Sequence, residues 1–190
     1  MTSGPADQVA GPHPILRTAR LVLRPFVLAD APVVQRLAGD ENVASTTLNI
    51  PHPYEDGMAE RWIERQTREW EAQTSLVLAV TTGDDGLVGA VSLALTPAHG
   101  RAELGYWIGV PFWNRGYATE AAAALVAYGF DELGLNRVLA RHITRNPASG
   151  RVISKLGMRP EGVMREHIMK GDEPEDIAIY AILRSDRPDG

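Results

Sequence analysis

Residues 107–120, WIGVPFWNRGYATE, carry the clearest chemistry in the chain. A strand-like apolar run breaks at Pro111, a tight turn passes through Gly116, and an apolar helical stretch opens at Tyr117. The first four N–H groups of a helix lack intrahelical partners and its dipole places roughly half a positive charge there, so such a start can cradle an anion. Gly116 lets the backbone approach a phosphate where a Cβ would clash, and Arg115 offers an ion pair beside it. The same glycine serves equally to start a helix in a tight turn. A Walker-type loop is excluded: no glycine precedes Lys and Ser or Thr at the needed spacing, and the segment has no G-x-G-x-x-G.

The remaining inventory narrows the chemistry further. The chain has no cysteine, which removes thiol nucleophiles, thiolate zinc sites, disulfides and any covalent acyl-cysteine route. His13, His52, His99, His142 and His167 never pair at metal-ligand spacing, so no metal site is expected, and His142 reads as a packed strand residue. A net charge of −5 argues against a nucleic-acid partner, since phosphate backbones are bound by clustered Lys and Arg. With 190 residues, 44% of them hydrophobic, one domain with a sizeable core is expected. No run approaches the roughly 18 to 20 apolar residues of a membrane helix, and the start MTSGPADQVAGPHP lacks a signal-peptide core. No membrane partner and a cytoplasmic location are the resulting expectations.

These residues must be positioned by the elements around them. Residues 1–17, rich in Pro, Gly and small polar types, read as a flexible tail, residues 18–184 as one domain, and 185–190 as a C-terminal tail. RLVLRP over 20–25 alternates like an edge strand. Asp30 is expected to cap a short helix over APVVQRLAG that Gly39 stops, and residues 40–53 read as a loop. A second helix spans 55–72, with Ala59, Trp62, Ile63, Gln66 and Trp70 on one face and the pairs Glu64–Arg68 and Arg65–Glu69 on the other. Strands over 75–82 and 87–95 form a hairpin across GDDG, and a further strand covers 102–110. The helix over 117–133 is apolar almost all round and so is expected to be buried. A strand over 137–144 leads to a helix capped by Asn146, with Pro147 in its first position and Gly157 closing it. Strands over 163–169 and 176–183 flank a GDEPE turn, giving the order β-α-α-β-β-β-α-β-α-β-β.

The stretch Trp113, Asn114, Arg115, Gly116, Tyr117, Ala118 resembles the acyl-CoA-binding motif of the GNAT superfamily of N-acetyltransferases. That motif runs Gln or Arg, two residues, Gly, one residue, then Gly or Ala. Trp113 departs from the first position, and an aromatic there resembles the RimJ/RimL-like branch of ribosomal-protein N-terminal acetyltransferases. RLVLRPF, AELGYWI, NPASGRVISKLGM and IYAILR match that branch in order and spacing, over about residues 18–183. The resemblance implies an α/β (α+β) fold: a mixed, mostly antiparallel sheet of about seven strands with about four flanking helices. It also implies acetyl-CoA as co-substrate, entering where the strand over 102–110 splays from that over 137–144, and no metal.

On that resemblance, backbone N–H groups of Arg115, Gly116, Tyr117, Ala118 and Thr119 hold the diphosphate. N–H groups at Trp107, Ile108 and Gly109, where the family's strand bulges open, are the candidate donors to the thioester oxygen. Glu103, on the strand bordering the cleft, is the candidate base, with a solvent-facing edge Glu as the alternative. Ser149 occupies the position of the proton donor to the leaving thiolate, and Tyr180 is a second candidate. A polar residue in a helix's first turn also accounts for Ser149. Asn146 is expected to bond the pantetheine arm, although capping alone would explain it.

The partner implied is an amine-bearing acceptor: a peptide N-terminus, toward which the family tilts, a lysine, an aminoglycoside or a polyamine. Asp40, Glu41, Asp172, Glu173 and Glu175 would favour a cationic one, and Tyr54, Trp62 and Trp70 could line its pocket. A non-catalytic acyl-CoA-binding sensor or interaction module is the alternative function. The apolar helix and spare Trp residues leave a homodimer open.

Overall fold

Apolar side chains with a period of two build the centre of the molecule. In the computed structural model, which describes residues 11–187, β3 (Ser75–Thr82) and β4 (Gly86–Thr96) form the expected antiparallel hairpin. Around it lie β1 (Leu16–Arg17), β2 (Val22–Arg24), β5 (Arg101–Ile108), β6 (Arg137–Ile143), β7 (Arg159–Lys170) and β8 (Glu173–Leu183). The eight strands form one sheet in the order β1-β2-β3-β4-β5-β6-β8-β7, antiparallel except for the β5–β6 pair. The mixed, mostly antiparallel architecture expected from the sequence is therefore present, with one strand more than anticipated.

The extra strand is β1. Within residues 11–17, expected to belong to a flexible tail, Leu16 and Arg17 pair with β2, Trp70 Nε1 donates to the Gly11 carbonyl at 2.8 Å, and the His13 ring lies 5.6 Å from that of Trp70. Residues 1–10 and 188–190 of the expected tails lie outside the described residues. At the other end, Arg184–Asp186 form a 3-10 turn and Arg187 pairs with Asp131.

Five α-helices flank the sheet: α1 (Ala31–Ala38), α2 (Glu41–Ala44), α3 (Met58–Glu71), α4 (Tyr117–Asp131) and α5 (Pro147–Lys155). The additional one, α2, lies in the segment expected to be a loop, where the Asp40 carboxylate accepts from the Asn42 N–H at 2.8 Å. Asp30 does not cap α1. A 3-10 turn over Leu28–Asp30 runs straight into that helix, and the carboxylate instead takes both Arg24 Nη atoms at 2.8 Å and the Val27 N–H at 2.9 Å. The final turn is only Gly171 and Asp172, so β7 and β8 run closer together along the chain than GDEPE suggested.

One sheet face is covered by α4 and α5, which place Leu125, Phe130 and Ile153 against Leu93, Leu104 and Val138. Full burial of a Leu or Phe contributes about 1.5–3 kcal/mol. The apolar surface of α4 is thus spent within the chain, and the helix is clamped with its N-terminus at the edge of β5. The other face carries α1 and α3, whose Val34, Ala38, Ala59 and Ile63 pack on Ala79 and Leu87.

Candidate active site

The site begins where a strand pair stops. β5 and β6 run parallel from the Arg101–Arg137 pair to the Leu104–Ala140 pair, after which Gly105–Ile108 continue with β4 alone. Pairing with β4 is unbroken to the Gly89–Ile108 pair, so the bulge expected near Trp107–Gly109 is absent; the opening comes from loss of β6. Backbone groups alternate sides along a strand. Because the Gly109 N–H is bonded to Val88 O at 2.9 Å, the N–H groups of Gly109 and Trp107 face β4, whereas those of Tyr106 and Ile108 face the gap. Of the three expected oxyanion donors, Ile108 is the one turned toward the opening, and Tyr106 joins it.

The N-terminus of α4 opens onto a cleft of ≈ 360 Å³ lined by Gly116, Tyr117, Ala118 and Thr119. Gly116, the N-cap, has φ +80°, a left-handed conformation that costs other residues about 1–2 kcal/mol, and supplies no side-chain cap. The first helical bond runs from Glu120 N–H to Gly116 O, leaving the N–H groups before it without a helical acceptor.

Glu120, in that first turn, would repel an anion were it free. Its carboxylate instead accepts from Thr18 Oγ1 at 2.6 Å and from Arg20 N and Nε at 3.0 and 2.7 Å. Burial is the largest single influence and pushes its pKa up, but these hydrogen bonds and the Arg20 charge outweigh it and hold the carboxyl below its ordinary range. Arg20, in the bend between β1 and β2, also donates to Arg115 O at 2.9 Å and so buttresses the turn.

Arg115 does not supply the expected side-chain ion pair in the cleft. Its guanidinium reaches Asp85 at 3.4 Å and lies over Phe112, leaving only its backbone to the turn. Arg151 and Lys155, on successive turns of α5, line the cleft in its place. Their four-residue spacing on one helix face was the available signal.

A second cavity, ≈ 380 Å³, lies across the gap, and Thr46, Thr47, Tyr106, Trp107 and Ser149 line both. At this junction the Tyr106 hydroxyl and Ser149 Oγ are 2.8 Å apart. Burial pushes the Tyr106 phenol up to about 12, with the Ser149 hydrogen bond pulling the other way. Tyr106 was missed in the sequence; the alternation of AELGYWI placed it on the same strand face as Ala102 and Leu104 without saying what it met.

Glu103 lines the second cavity, with Oε1 held by Arg141 Nε at 2.8 Å. Tyr54 and Trp62 line it too, whereas Trp70 does not. Glu103, Trp107 and Ser149 are thus brought together, and Tyr180 is not: it borders a separate depression on the far side of α5, its ring 5.7 Å from that of His142. Asn146 lines the first cleft, but its Oδ1 accepts the Ser149 N–H at 3.2 Å and its Nδ2 donates to Thr46 O at 3.3 Å.

The shared wall at Thr46 and Thr47 is pinned from three directions. Besides Asn146, Arg145 donates to Ser45 O and Lys170 to Ala44 O, both at 2.8 Å. Burial first, then the Arg145 charge, lowers the Lys170 pKa. Two of the acidic residues expected to draw a cation are used elsewhere: Asp40 caps α2, and Glu175 is buried in an ion pair with Arg145. No cluster able to hold a metal ion and no helix long and apolar enough to cross a membrane occurs among the described residues.

A sheet opened between two parallel strands, beside an uncapped helix start and with cavities meeting across the gap, is the layout of an acyl-transferring fold. The chain matches the acetyltransferase (GNAT) domain over residues 20–159. It is 34% identical over 189 residues to the uncharacterized N-acetyltransferase YoaA of Bacillus subtilis (strain 168), spanning 90% of this chain and 97% of that one. It is 27% identical over 99 residues to the ribosomal-protein-serine acetyltransferase of Escherichia coli (strain K12), covering 52% of this chain and 55% of that protein. Among solved structures, RimL, a ribosomal L7/L12 alpha-N-protein acetyltransferase in complex with coenzyme A, shares the fold with a TM-score of 0.82 at 18% identity, over 90% of this chain and 98% of that one. The chain belongs to the GNAT acetyltransferase family, as an acyl-CoA-dependent N-acetyltransferase similar to the RimJ/RimL-like branch.

The residues present fit a diphosphate-bearing acyl carrier. The α4 N-terminus is uncapped, its first carboxylate is neutralised, and two cations stand on α5 across the same cleft.

Proposed function

We propose that the protein transfers an acetyl group from acetyl-CoA directly to a primary amine while both are bound, and that the acceptor is a protein N-terminal amine. The observation that carries this reading is the meeting of the two cavities at Tyr106 and Ser149, one cavity for each substrate. Support for the acceptor is the name of the ribosomal-protein-serine acetyltransferase relative.

The backbone N–H groups of Arg115, Gly116, Tyr117, Ala118 and Thr119 hold the diphosphate, with Arg151 and Lys155 adding charge on the opposite wall. Asn146 faces the arm that runs from it. The co-substrate supplies a thioester carbonyl, and the chain's part is to orient it, to stabilise charge and to move two protons. The amine nitrogen bonds to the carbonyl carbon, the carbon–sulfur bond breaks, and the displaced electron pair leaves on sulfur. Ile108 and Tyr106 N–H groups stabilise the charge that builds on the carbonyl oxygen. Glu103, directly or through a water, accepts the proton the amine loses, and Ser149, hydrogen-bonded to Tyr106, offers one to the sulfur.

A thermal shift with acetyl-CoA, followed by a thiol-release assay, tests the reading. At about 100 times its dissociation constant a ligand adds roughly 2.7 kcal/mol, which for a chain of this size raises Tm by about 5 to 10 °C. Free thiol is then expected with peptides bearing free N-termini. A Tm rise without thiol release from any peptide, lysine, aminoglycoside or polyamine would instead make the chain an acyl-CoA-binding module.

A further inference from the structure

We infer that Trp113 is a positioning residue for the transfer: its indole N–H occupies the Ile108 carbonyl, so that the Ile108 N–H meets the thioester oxygen without a competing acceptor beside it. The inference rests on the transfer function proposed above and gives a part in it to a side chain that the mechanism does not otherwise use.

The N–H and C=O of one strand residue point to the same side. Gly109 N–H is bonded to Val88 O across to β4, so Ile108, one residue earlier, turns both its N–H and its carbonyl away from β4 and toward the gap left by β6. An acceptor oxygen therefore stands beside the donor that an oxygen gaining negative charge must use. Left free, it would repel that charge.

The chain after β5 engages it. In the 3-10 turn over Val110–Phe112, Phe112 N–H donates to Gly109 O at 2.9 Å and Trp113 N–H to Val110 O at 3.2 Å. The turn carries the Trp113 side chain back to the end of β5, where Nε1 donates to Ile108 O at 2.6 Å. An indole nitrogen is a donor only, so it takes up the carbonyl without bringing a new acceptor to the gap. Packing does not account for the ring: Trp113 is 41% exposed while Ile108 is 8% exposed, and both line the first cleft. A ring left so far in solvent contributes less by burial than one in the core.

Two replacements separate the N–H from the ring. Trp113→Phe keeps an aromatic without a donor, and 3-benzothienylalanine, incorporated at this position alone, keeps the bicyclic shape with sulfur in place of N–H. The first readout is the infrared thioester band of acetyl-CoA labelled with carbon-13 at its carbonyl, bound without acceptor. In the unmodified protein it is expected below that of a simple thioester in a non-hydrogen-bonding solvent, and in both replacements it should move up. The second is the single-turnover rate of transfer to a peptide with a free N-terminus. It should fall by about 5- to 50-fold, less than the 100-fold or more that losing an oxyanion donor outright costs. The thermal shift with CoA, which has no thioester carbonyl, should stay unchanged in the isostere.

A rate that falls while the band stays in place would make Trp113 merely structural, and either readout unchanged in the isostere overturns the inference. So does a band in the unmodified protein no lower than in the non-hydrogen-bonding solvent, a result that needs no variant to fold. Each of these leaves acetyl transfer intact. Binding of labelled acetyl-CoA to the unmodified protein without thiol release to any acceptor removes the transfer function itself, and the inference with it.

Discussion

The Tyr106 hydroxyl sits 2.8 Å from Ser149 Oγ and 3.1 Å from the Ser149 carbonyl, tying the end of β5 that has lost β6 to the first turn of α5. This contact lies where the two cavities meet, beside Thr46, Thr47 and Trp107. A thiolate with a pKa near 8.5 gains no more than about 2 kcal/mol from an acid at pH 7, a factor of up to about 30 in rate. Ser149→Ala is therefore expected to lower kcat by up to about 30-fold at pH 7, with the deficit shrinking toward pH 9, where the thiolate leaves unaided. Tyr106, with a phenol near 12, stays protonated across that range and contributes no falling limb. A kcat profile from pH 6.5 to 9.5 checks both; a deficit constant with pH removes Ser149 as the proton donor.

Glu103 shares one carboxylate oxygen with Arg141, which leaves the other for a substrate amine or a water. An α-amine with pKa near 7.8 is roughly one-seventh neutral at pH 7, a penalty of about 1 kcal/mol, against nearly 5 kcal/mol for a lysine at about 10.4. Glu103→Gln should therefore leave the acetyl-CoA thermal shift intact and slow transfer, more on lysine than on N-terminal acceptors. Unchanged rates on both would exclude Glu103 as the base.

Gly116 holds φ +80° at the mouth of the first cleft, and a Cβ there would lie 3.3 Å from Arg20 Nη2. In Gly116→Val the left-handed backbone is strained by about 1–2 kcal/mol, so the unliganded protein should melt a few degrees lower. The larger expected effect is loss of most of the acetyl-CoA shift. A variant that melts lower but keeps the full shift would place the diphosphate elsewhere.

Asp30, nearly buried, joins α1 to β2 through Arg24 and the Val27 N–H. Burial is the strongest influence and raises its pKa, but the Arg24 and Val27 hydrogen bonds and the Arg24 charge together bring it below the ordinary value of 3.8. A depressed folded pKa means that the stabilisation is complete above the unfolded value and is lost as pH falls through the folded one. Asp30→Asn should cost about 1.5–3 kcal/mol at pH 7, because hydrogen bonds to charged groups are lost. The two proteins should converge in Tm as pH falls below 3.8 and through the lowered folded value; a gap that persists once the carboxyl is protonated would assign the loss to packing instead.

Much of the proposed cofactor side could be read along the chain because it is local. The uncapped start of α4 at Gly116 and the cap of α5 by Asn146 are each set within a few residues, where backbone conformation and side-chain type decide the outcome. The hairpin of β3 and β4 follows from its apolar runs and the GDDG turn between them, and the burial of α4 from a surface that is apolar almost all round.

The reacting centre proposed above is not local. Tyr106 meets Ser149, Glu103 meets Arg141, and Arg20 meets Glu120 across 43, 38 and 100 residues. Periodicity tells which face of a strand a residue occupies, not which residue of another element lies opposite it. The parallel register of β5 on β6 ends their pairing at Leu104–Ala140, and β8 on β6 sets Tyr180 beside Ala140, on the far side of α5 from the cleft. Those registers are chosen by how the whole sheet packs between two layers of helices, and only the folded chain makes that choice.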